Sequence, residues 1–473
     1  MKEMRKTKII CTIGPASSHK EVIKDMIGVG MDVARLNFSH GTHEQHKELI
    51  LKIRETSEDM NKETAILQDL SGPKIRIGVL KKPIKLKSGS IFTLTKREMI
   101  GDGDAVSVNY PALLKNLNIG DLILMNDGSI ELNVVETGDE DVKCKVLTGG
   151  VLFSHKGLNI PTSNLNIPAL TKKDREDLRF GIKNGVDMVA VSFVHEPSDF
   201  DDTKEVLKEN GSNIPIIAKI ETQKALENID GILDRFYGIM VARGDLGVET
   251  PFENIPIIQK ELIEKARFKG KPVAIATQML RSMVEQPRPD RAEVTDVASA
   301  VSQGADAMML SEETAMGRYP VESVRTMSKI AEAMERRLSY EEFLIRGEEY
   351  RGKNILDAIS HTASLIASDL NAKAILAPTR SGTTARMVAR HRPIQPIVAV
   401  SSDLSVVRRL NLSWGVYPFV SKDARDPGER MEVVKKVAID AGFVKKGDLV
   451  VITSGPAIGT PGTTNLIKAE VIK

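Results

Sequence analysis

The sequence predicts an α/β protein built on a (β/α)8 TIM barrel, with an all-β lid domain inserted in one barrel loop and a further α/β domain at the C-terminus. Three observations carry that prediction. Eight apolar runs, at residues 8–13, 31–37, 64–70, 187–193, 214–221, 238–244, 272–278 and 306–311, each carry a polar or charged residue at the last or next-to-last position. Most are separated by helical periodicity, as with Val22, Ile23, Met26 and Ile27 after Ser17-Ser18, or Leu262, Ile263 and Ala266 before Gly270. Strand and helix alternating eight times imply a parallel sheet that closes on itself, and roughly 240 residues of barrel segments agree with the ~250 typical of such a barrel.

A chain of 473 residues also exceeds the ~50–250 that one core usually serves. The pattern divides it into a barrel (1–72 and 168–338), an insert (73–167) and a C-terminal unit (339–473). The insert carries short alternating segments such as Ser90–Leu94 and Leu122–Met125, punctuated by Gly-Asp and Asn-Asp-Gly turns. Its position in a barrel loop suits a lid. A charged helical stretch at 322–338 leads into Arg346–Lys353, read as a linker, after which Lys373–Pro378, Ile397–Ser401 and Asp448–Ser454 read as strands.

Composition narrows the function. A formal net charge of +2, a single Trp and 4% aromatic residues offer neither a basic footprint nor a stacking platform, so nucleic acid is not an expected partner. The apolar run Ile9–Ile13 after a charged start is too short for a signal sequence or a membrane span, which points to the cytoplasm and away from membranes. Cys11 and Cys144 stand far apart, so neither a disulfide framework nor a zinc cluster is expected.

The chemistry gathers at strand ends, where a barrel keeps its active site. Lys219 and Glu221 are two apart on one run, so both side chains point into the barrel mouth, and Asp245 follows the next run. Neighbouring strands lie ~4.8 Å apart, which lets the two carboxylates reach one divalent ion. Charge at a strand end is costly unless it binds a metal or acts in catalysis. An ammonium beside two acidic groups suits a phosphoryl group bridged by Mg²⁺. Arg243-Gly244-Asp245-Leu246-Gly247 reads either as a helix start whose N–H groups approach an anion or as a tight turn. Arg35 suits bidentate phosphate contact, while Asn37 and Ser39 offer oxygens to a cation. Lys74 and Arg76 follow Asp69-Leu70-Ser71-Gly72-Pro73 with two more cations. Thr277 ends the seventh run with a hydroxyl able to relay a proton.

Arg35–Gly41, Gly72–Arg76, Ala218–Thr222, Met240–Glu249 and Ala276–Leu280 resemble the signature segments of the pyruvate kinase family, and the resemblance runs nearly end to end. It implies transfer of a phosphoryl group from phosphoenolpyruvate to ADP, yielding pyruvate and ATP, by a homotetramer that requires Mg²⁺, with Mn²⁺ as an alternative ion. Lys219 is then expected to stabilise the migrating phosphoryl group, and Glu221 and Asp245 to bind Mg²⁺. Gly244, Asp245 and Thr277 line the substrate site, and Arg35 holds the phosphoryl group. Asn37, Phe38, Ser39, His40, Arg76 and Lys156 match nucleotide-binding positions. Spread negative charge in such a transition state calls for positioned cations more than covalent chemistry.

Three departures from the family pattern stand out. Many members need K⁺, held by residues matching Asn37, Ser39, Asp69 and the Leu70 backbone, and carry Glu where this chain has Lys74. An ammonium there supplies the charge K⁺ would bring, so the enzyme is expected not to require K⁺. Ser311 is followed by Glu312 where the family usually has Gly, which puts a proton-relay role for Ser311 in question. Asn126-Asp127-Gly128 replaces a more acidic stretch.

In the C-terminal unit, Thr379, Arg380, Ser381, Gly382, Thr383 and Thr384 follow a strand and open a helix, an arrangement that cradles phosphate. Gly455–Asn465, with Thr460, Thr463 and Thr464, is placed to close over it. The resemblance makes this a pocket for a phosphorylated allosteric effector; two ordinary polar loops are the alternative. Two other functions stay open: a Mg²⁺-dependent aldolase acting on pyruvate or phosphoenolpyruvate, which has no need of Arg76, Lys156 or the insert, and a non-catalytic metabolite sensor, against which intact Lys219, Glu221, Asp245 and Thr277 argue.

Overall fold

A computed structural model describes residues 4–161, 168–349, 354–422, 427–455 and 464–473. All eight predicted runs are strands: β1 (Lys8–Thr12), β2 (Val33–Asn37), β3 (Ala65–Asp69), β4 (Met188–Val191), β5 (Ile216–Ile220), β6 (Gly238–Ala242), β7 (Val273–Ala276) and β8 (Ala307–Leu310). They pair in parallel and close as one barrel, with β1 against β8. Strands buried on both faces are continuously apolar, and alternate residues divide between two cores. Ile10, Val33, Ala65, Leu67, Met188, Ala190, Ile217, Met240, Ala274 and Met309 fill the barrel interior. Ile9, Cys11, Ala34, Leu36, Ile66, Val189 and Ala218 face the surrounding helices, including Lys20–Val29 and Ile255–Phe268. Period-two alternation then sets the site. Thr12, Arg35, Asp69, Lys219 and Glu221 share parity with the interior residues, so they continue the inner face at the C-terminal mouth.

The insert leaves the barrel after β3. Its six-stranded sheet is mostly antiparallel, with Ile91–Thr95, Leu122–Met125, Ile130–Thr137 and Asp141–Thr148 around its own core of Phe92, Leu94, Ile123, Leu132 and Cys144. Asn126, Asp127 and Gly128 all have positive φ, the left-handed turn that Asn, Asp and Gly tolerate best. This turn packs toward the barrel, since a Cβ on Gly128 would lie 3.7 Å from Val248.

The C-terminal sheet runs Val416–Val420, Ile397–Ser401, Ala374–Pro378, Leu449–Ser454 and an antiparallel edge, Leu466–Val471. Two of these strands escaped the sequence reading: Val416–Val420 contains Pro418, and Leu466–Val471 is a mostly exposed edge with little apolar signal. The expected linker is corrected in part. Residues 340–349 form a helix, Tyr340–Glu349, so Arg346 to Glu349 continue helical structure, Arg346 pairing with Glu264 at 3.5 Å; residues 350–353 lie outside the described set. Lys6 and Lys8 from the start of the barrel donate to Ile394 and Val416 carbonyls at 2.6 Å each, which docks the two units. No helix among the described residues is long and apolar enough to cross a membrane.

Candidate active site at the barrel mouth

Barrel register brings distant charges together. Asn37 pairs with Asp69, Asp69 with Ala190, and Lys219 with Met240. Lys219 Nζ therefore reaches Asp69 Oδ1 at 3.3 Å, Glu221 Oε1 at 3.1 Å and Ser192 Oγ at 2.7 Å. The Arg35 guanidinium donates to Asp69 Oδ2 at 2.6 Å and to Thr12 Oγ1 at 2.8 Å. Glu221 Oε2 accepts the Phe193 N–H at 2.7 Å, and Ser192 donates to the Leu70 carbonyl at 2.8 Å. Burial opposes charge on Lys219, yet Asp69 and Glu221 outweigh it and hold its pKa above the usual lysine value. Asp69 is likewise opposed by burial but is held below the usual carboxylate range by Lys219 and Arg35. Glu221 goes the other way: burial, with Asp245 and Asp69 repelling, raises its pKa despite Lys219. Repulsion between Glu221 and Asp245 is what a shared cation relieves.

Asp245 opens a short helix, Arg243–Glu249, and its Oδ1 accepts Lys74 Nζ at 2.6 Å. Lys74 comes from the entry to the insert and also lies 5.8 Å from the Phe193 ring. Its ammonium thus rests on Asp245 rather than among the Asn37, Ser39 and Asp69 oxygens. Of that oxygen set, Asn37 Oδ1 accepts the Ser39 N–H, Leu70 O accepts Ser192, and Asp69 Oδ2 is taken by Arg35; Asp69 Oδ1 faces Lys219 without hydrogen-bond geometry. The described residues hold no group of three or more His, Cys, Asp or Glu suited to a metal. Two carboxylates are still enough for Mg²⁺, which usually keeps waters and takes substrate oxygens.

Gly244 N–H donates to Thr277 Oγ1 at 2.9 Å. Thr277 and Gln278 sit at φ of 71° and 56°, which is strained for a β-branched residue. Arg243 secures that conformation, donating to the Thr277 carbonyl at 2.8 Å and pairing with Asp296 at 2.7 Å. Phe38 is buried, its ring stacked on His46 at 3.9 Å, while Ser39 and His40 are exposed beside it. Arg76 donates to the His155 carbonyl at 3.0 Å, and Lys156 is half-buried next to it. Below them a cleft of ≈ 80 Å³ between insert and barrel is lined by Lys74, Phe193, Thr222 and Glu249, and Asn159 bonds Glu249 at 2.9 Å across it.

Glu312 turns outward to pair with Arg281 at 3.1 Å, and it is Glu313 that is buried, accepting the Ser311 and Leu280 N–H groups. Ser192, Thr12, Arg243 and Glu313 were missed in the sequence. Thr12 and Ser192 carried the same signal as the others, a polar residue ending an apolar run. In the C-terminal unit, Thr379 Oγ1 accepts the Gly382 N–H at 3.0 Å, Ser381 meets Thr383 at 3.0 Å and Thr384 meets Thr464 at 2.7 Å. Thr460 and Thr463 lie outside the described residues.

The family profile described as the pyruvate kinase barrel domain matches residues 4–324, and that of the pyruvate kinase alpha/beta domain matches residues 357–469. The chain belongs to the pyruvate kinase family. It is 46% identical to the pyruvate kinase of Geobacillus stearothermophilus, over 99% of this chain and 80% of that one. Against the pyruvate kinase of Thermotoga maritima it is 45% identical, over 98% of this chain and 99% of that one. A crystal structure of a pyruvate kinase from Cryptosporidium parvum superposes with a TM-score of 0.94 at 37% identity, covering 99% of this chain and 96% of the other. Like the other pyruvate kinases, this chain is a phosphotransferase, acting on phosphoenolpyruvate and ADP.

Proposed function

We propose that the mouth of this barrel transfers the phosphoryl group of phosphoenolpyruvate to ADP without requiring K⁺, with Lys219 at the centre of the reaction. The observation that carries the reading is the Lys219 ammonium, held charged within 3.3 Å of Asp69 and 3.1 Å of Glu221, facing the same mouth as Arg35. A migrating phosphoryl group spreads negative charge over its oxygens, and preorganised cations stabilise that charge at no cost of reorganisation. Asp69 keeps Arg35 and Lys219 from folding away from the mouth. Glu221 and Asp245 are the carboxylates that would hold Mg²⁺. Held by these two residues, Mg²⁺ would supply positive charge that offsets theirs and that of the phosphoryl group.

On this reading Gly244 and Thr277 receive the substrate carboxylate, with the Thr277 hydroxyl held near the enolpyruvate carbon that takes a proton. Asn37, Phe38, Ser39, His40, Arg76 and Lys156 meet the nucleotide, residues 73–167 close as the lid, and residues 339–473 form the regulatory unit. Since the Phe38 ring is buried, its share falls to the backbone. Independence from K⁺ is supported by Lys74, which already brings a positive charge to Asp245, and by the engagement of most oxygens of the monovalent set. The Thr379–Thr384 loop is read as the site of a phosphorylated effector, and the enzyme as a cytoplasmic homotetramer.

The test is pyruvate release from phosphoenolpyruvate and ADP with Mg²⁺, in K⁺ buffer and in buffer whose only monovalent cation is tetramethylammonium. Equal fast rates are expected. Fast turnover only with K⁺ rejects the role of Lys74, and no turnover in either rejects the whole reading.

A further inference from the structure

The N-terminal end of the barrel and the C-terminal unit meet at a cleft with an unusual charge balance. Lining it are Arg267, Lys271, Arg386, Arg390 and Arg392, with Asp306 as the one carboxylate among its lining residues. Asp306 is already committed: Oδ2 accepts Arg392 at 2.8 Å, and Oδ1 accepts the Trp414 N–H at 3.0 Å. Arg390 pairs with Asp357 at 3.0 Å. Acidic groups just outside are engaged elsewhere, Glu264 with Arg346 and Asp234 with Lys269. Several of the cations also donate to backbone carbonyls, Arg386 to Gly270, Arg390 to Phe268 and Lys271 to Phe236. Carbonyls satisfy donors but carry no net charge, and among the described residues no carboxylate pairs with Arg267 or Arg386, whose guanidinium groups lie over the Phe343 and Tyr237 rings at 4.8 and 4.6 Å.

Three donors at this cleft are also left over. Arg267 Nη1, Arg386 Nε and Ser413 Oγ are buried and have no hydrogen-bond partner among the described residues. Arg267 and Ser413 are 6% and 1% exposed. The cleft is partly open and leaves ≈ 10 Å³ for a water-sized sphere. Its neighbours, the guanidinium groups and a hydroxyl, are donors seeking an acceptor. Burial, together with the other guanidinium groups, pushes Arg267 down to about 10 and disfavours the adjacent His391 as a cation.

We infer that this interdomain cleft binds one small inorganic anion of chloride's size, held by Arg267, Arg386 and Ser413. One monatomic anion beside these donors accepts hydrogen bonds they otherwise lack and offsets the excess of cations over carboxylates in the lining; a water molecule satisfies donors but leaves the charge. The anion ties the helix Thr383–Ala389 to the end of the helix Ile255–Phe268, and so fixes the C-terminal unit against the barrel.

The test uses the full-length protein at constant ionic strength, with chloride exchanged for gluconate, and crystals grown in bromide. Expected are an anomalous bromide peak in the cleft and a melting temperature that rises saturably with chloride. Arg386→Met, or the gentler Ser413→Ala should one variant fail to fold, is expected to move the chloride midpoint up by at least ~10-fold, the scale of one lost charged or hydroxyl hydrogen bond. A cleft without bromide, melting indifferent to the choice of anion, or an unchanged midpoint in both variants overturns the assignment.

Discussion

Replacing Lys219 by Met removes the ammonium and keeps most of the stem volume, so the barrel mouth loses charge rather than packing. At 3.1 Å from Glu221 Oε1, that charge is worth about 5 kcal/mol at an effective dielectric of ~20 as an upper bound. Part of this is already spent in balancing Asp69 and Glu221. What bears on rate is the share directed at the transferring group, about 2.7–4 kcal/mol for one preorganised stabilising group, or ~10²–10³ in turnover. The variant is assayed by pyruvate formation under saturating phosphoenolpyruvate, ADP and Mg²⁺, with its fold monitored by circular dichroism. We expect kcat to fall by that factor or more while KM for phosphoenolpyruvate changes little, because the interaction is strongest after the phosphoryl group begins to move. Turnover within ~3-fold of wild type in a folded variant refutes the role of Lys219, and a loss confined to KM would make it a binding group only.

Lys74→Glu removes the cation from Asp245 and is expected to make turnover depend on K⁺, with at least ~10-fold activation over tetramethylammonium; equal rates in both salts contradict the charge argument. Arg392→Met leaves Asp306 buried without its 2.8 Å partner and is expected to cost about 3–5 kcal/mol. Adding Asp306→Asn should restore part of that in urea titrations, and a fully additive double variant would rule out the pairing. A third expectation concerns pH. Burial lowers Lys6, despite Glu335, and Lys8, despite Asp32, to about 8. Each then binds fewer protons folded than unfolded between about pH 8 and 10, so stability rises with pH across that window. Melting temperature should climb less steeply in Lys8→Met than in wild type, and identical slopes would show that Lys8 titrates normally.

Much of the barrel was readable because parallel strands buried on both faces leave uninterrupted apolar runs, and the eight runs match the eight strands. The insert was readable from short apolar segments between turn signals, as in Leu122–Met125, which is the observed strand. Less visible were elements whose burial pattern is weak, such as Leu466–Val471, or those that hide in charged sequence, such as the helix through Arg346. At the site, strand-end position and parity singled out Lys219, Glu221 and Asp245. The same rule, applied at Thr12 and Ser192, would have found two further partners.

Identity of the charged groups, their strand-end positions and the faces they share follow from sequence alone, because they depend on period two along a single strand. Which groups meet is a different matter. Arg35 bonding Asp69, Lys219 reaching Asp69 and Ser192, Lys74 settling on Asp245 and Arg392 pairing with Asp306 join residues between 27 and 171 positions apart. Those pairings are set by barrel register and by how the insert and the C-terminal unit dock. Only closure of the sheet brings such distant carboxylates and cations within a few ångströms, where their Coulomb energies and pKa values are decided.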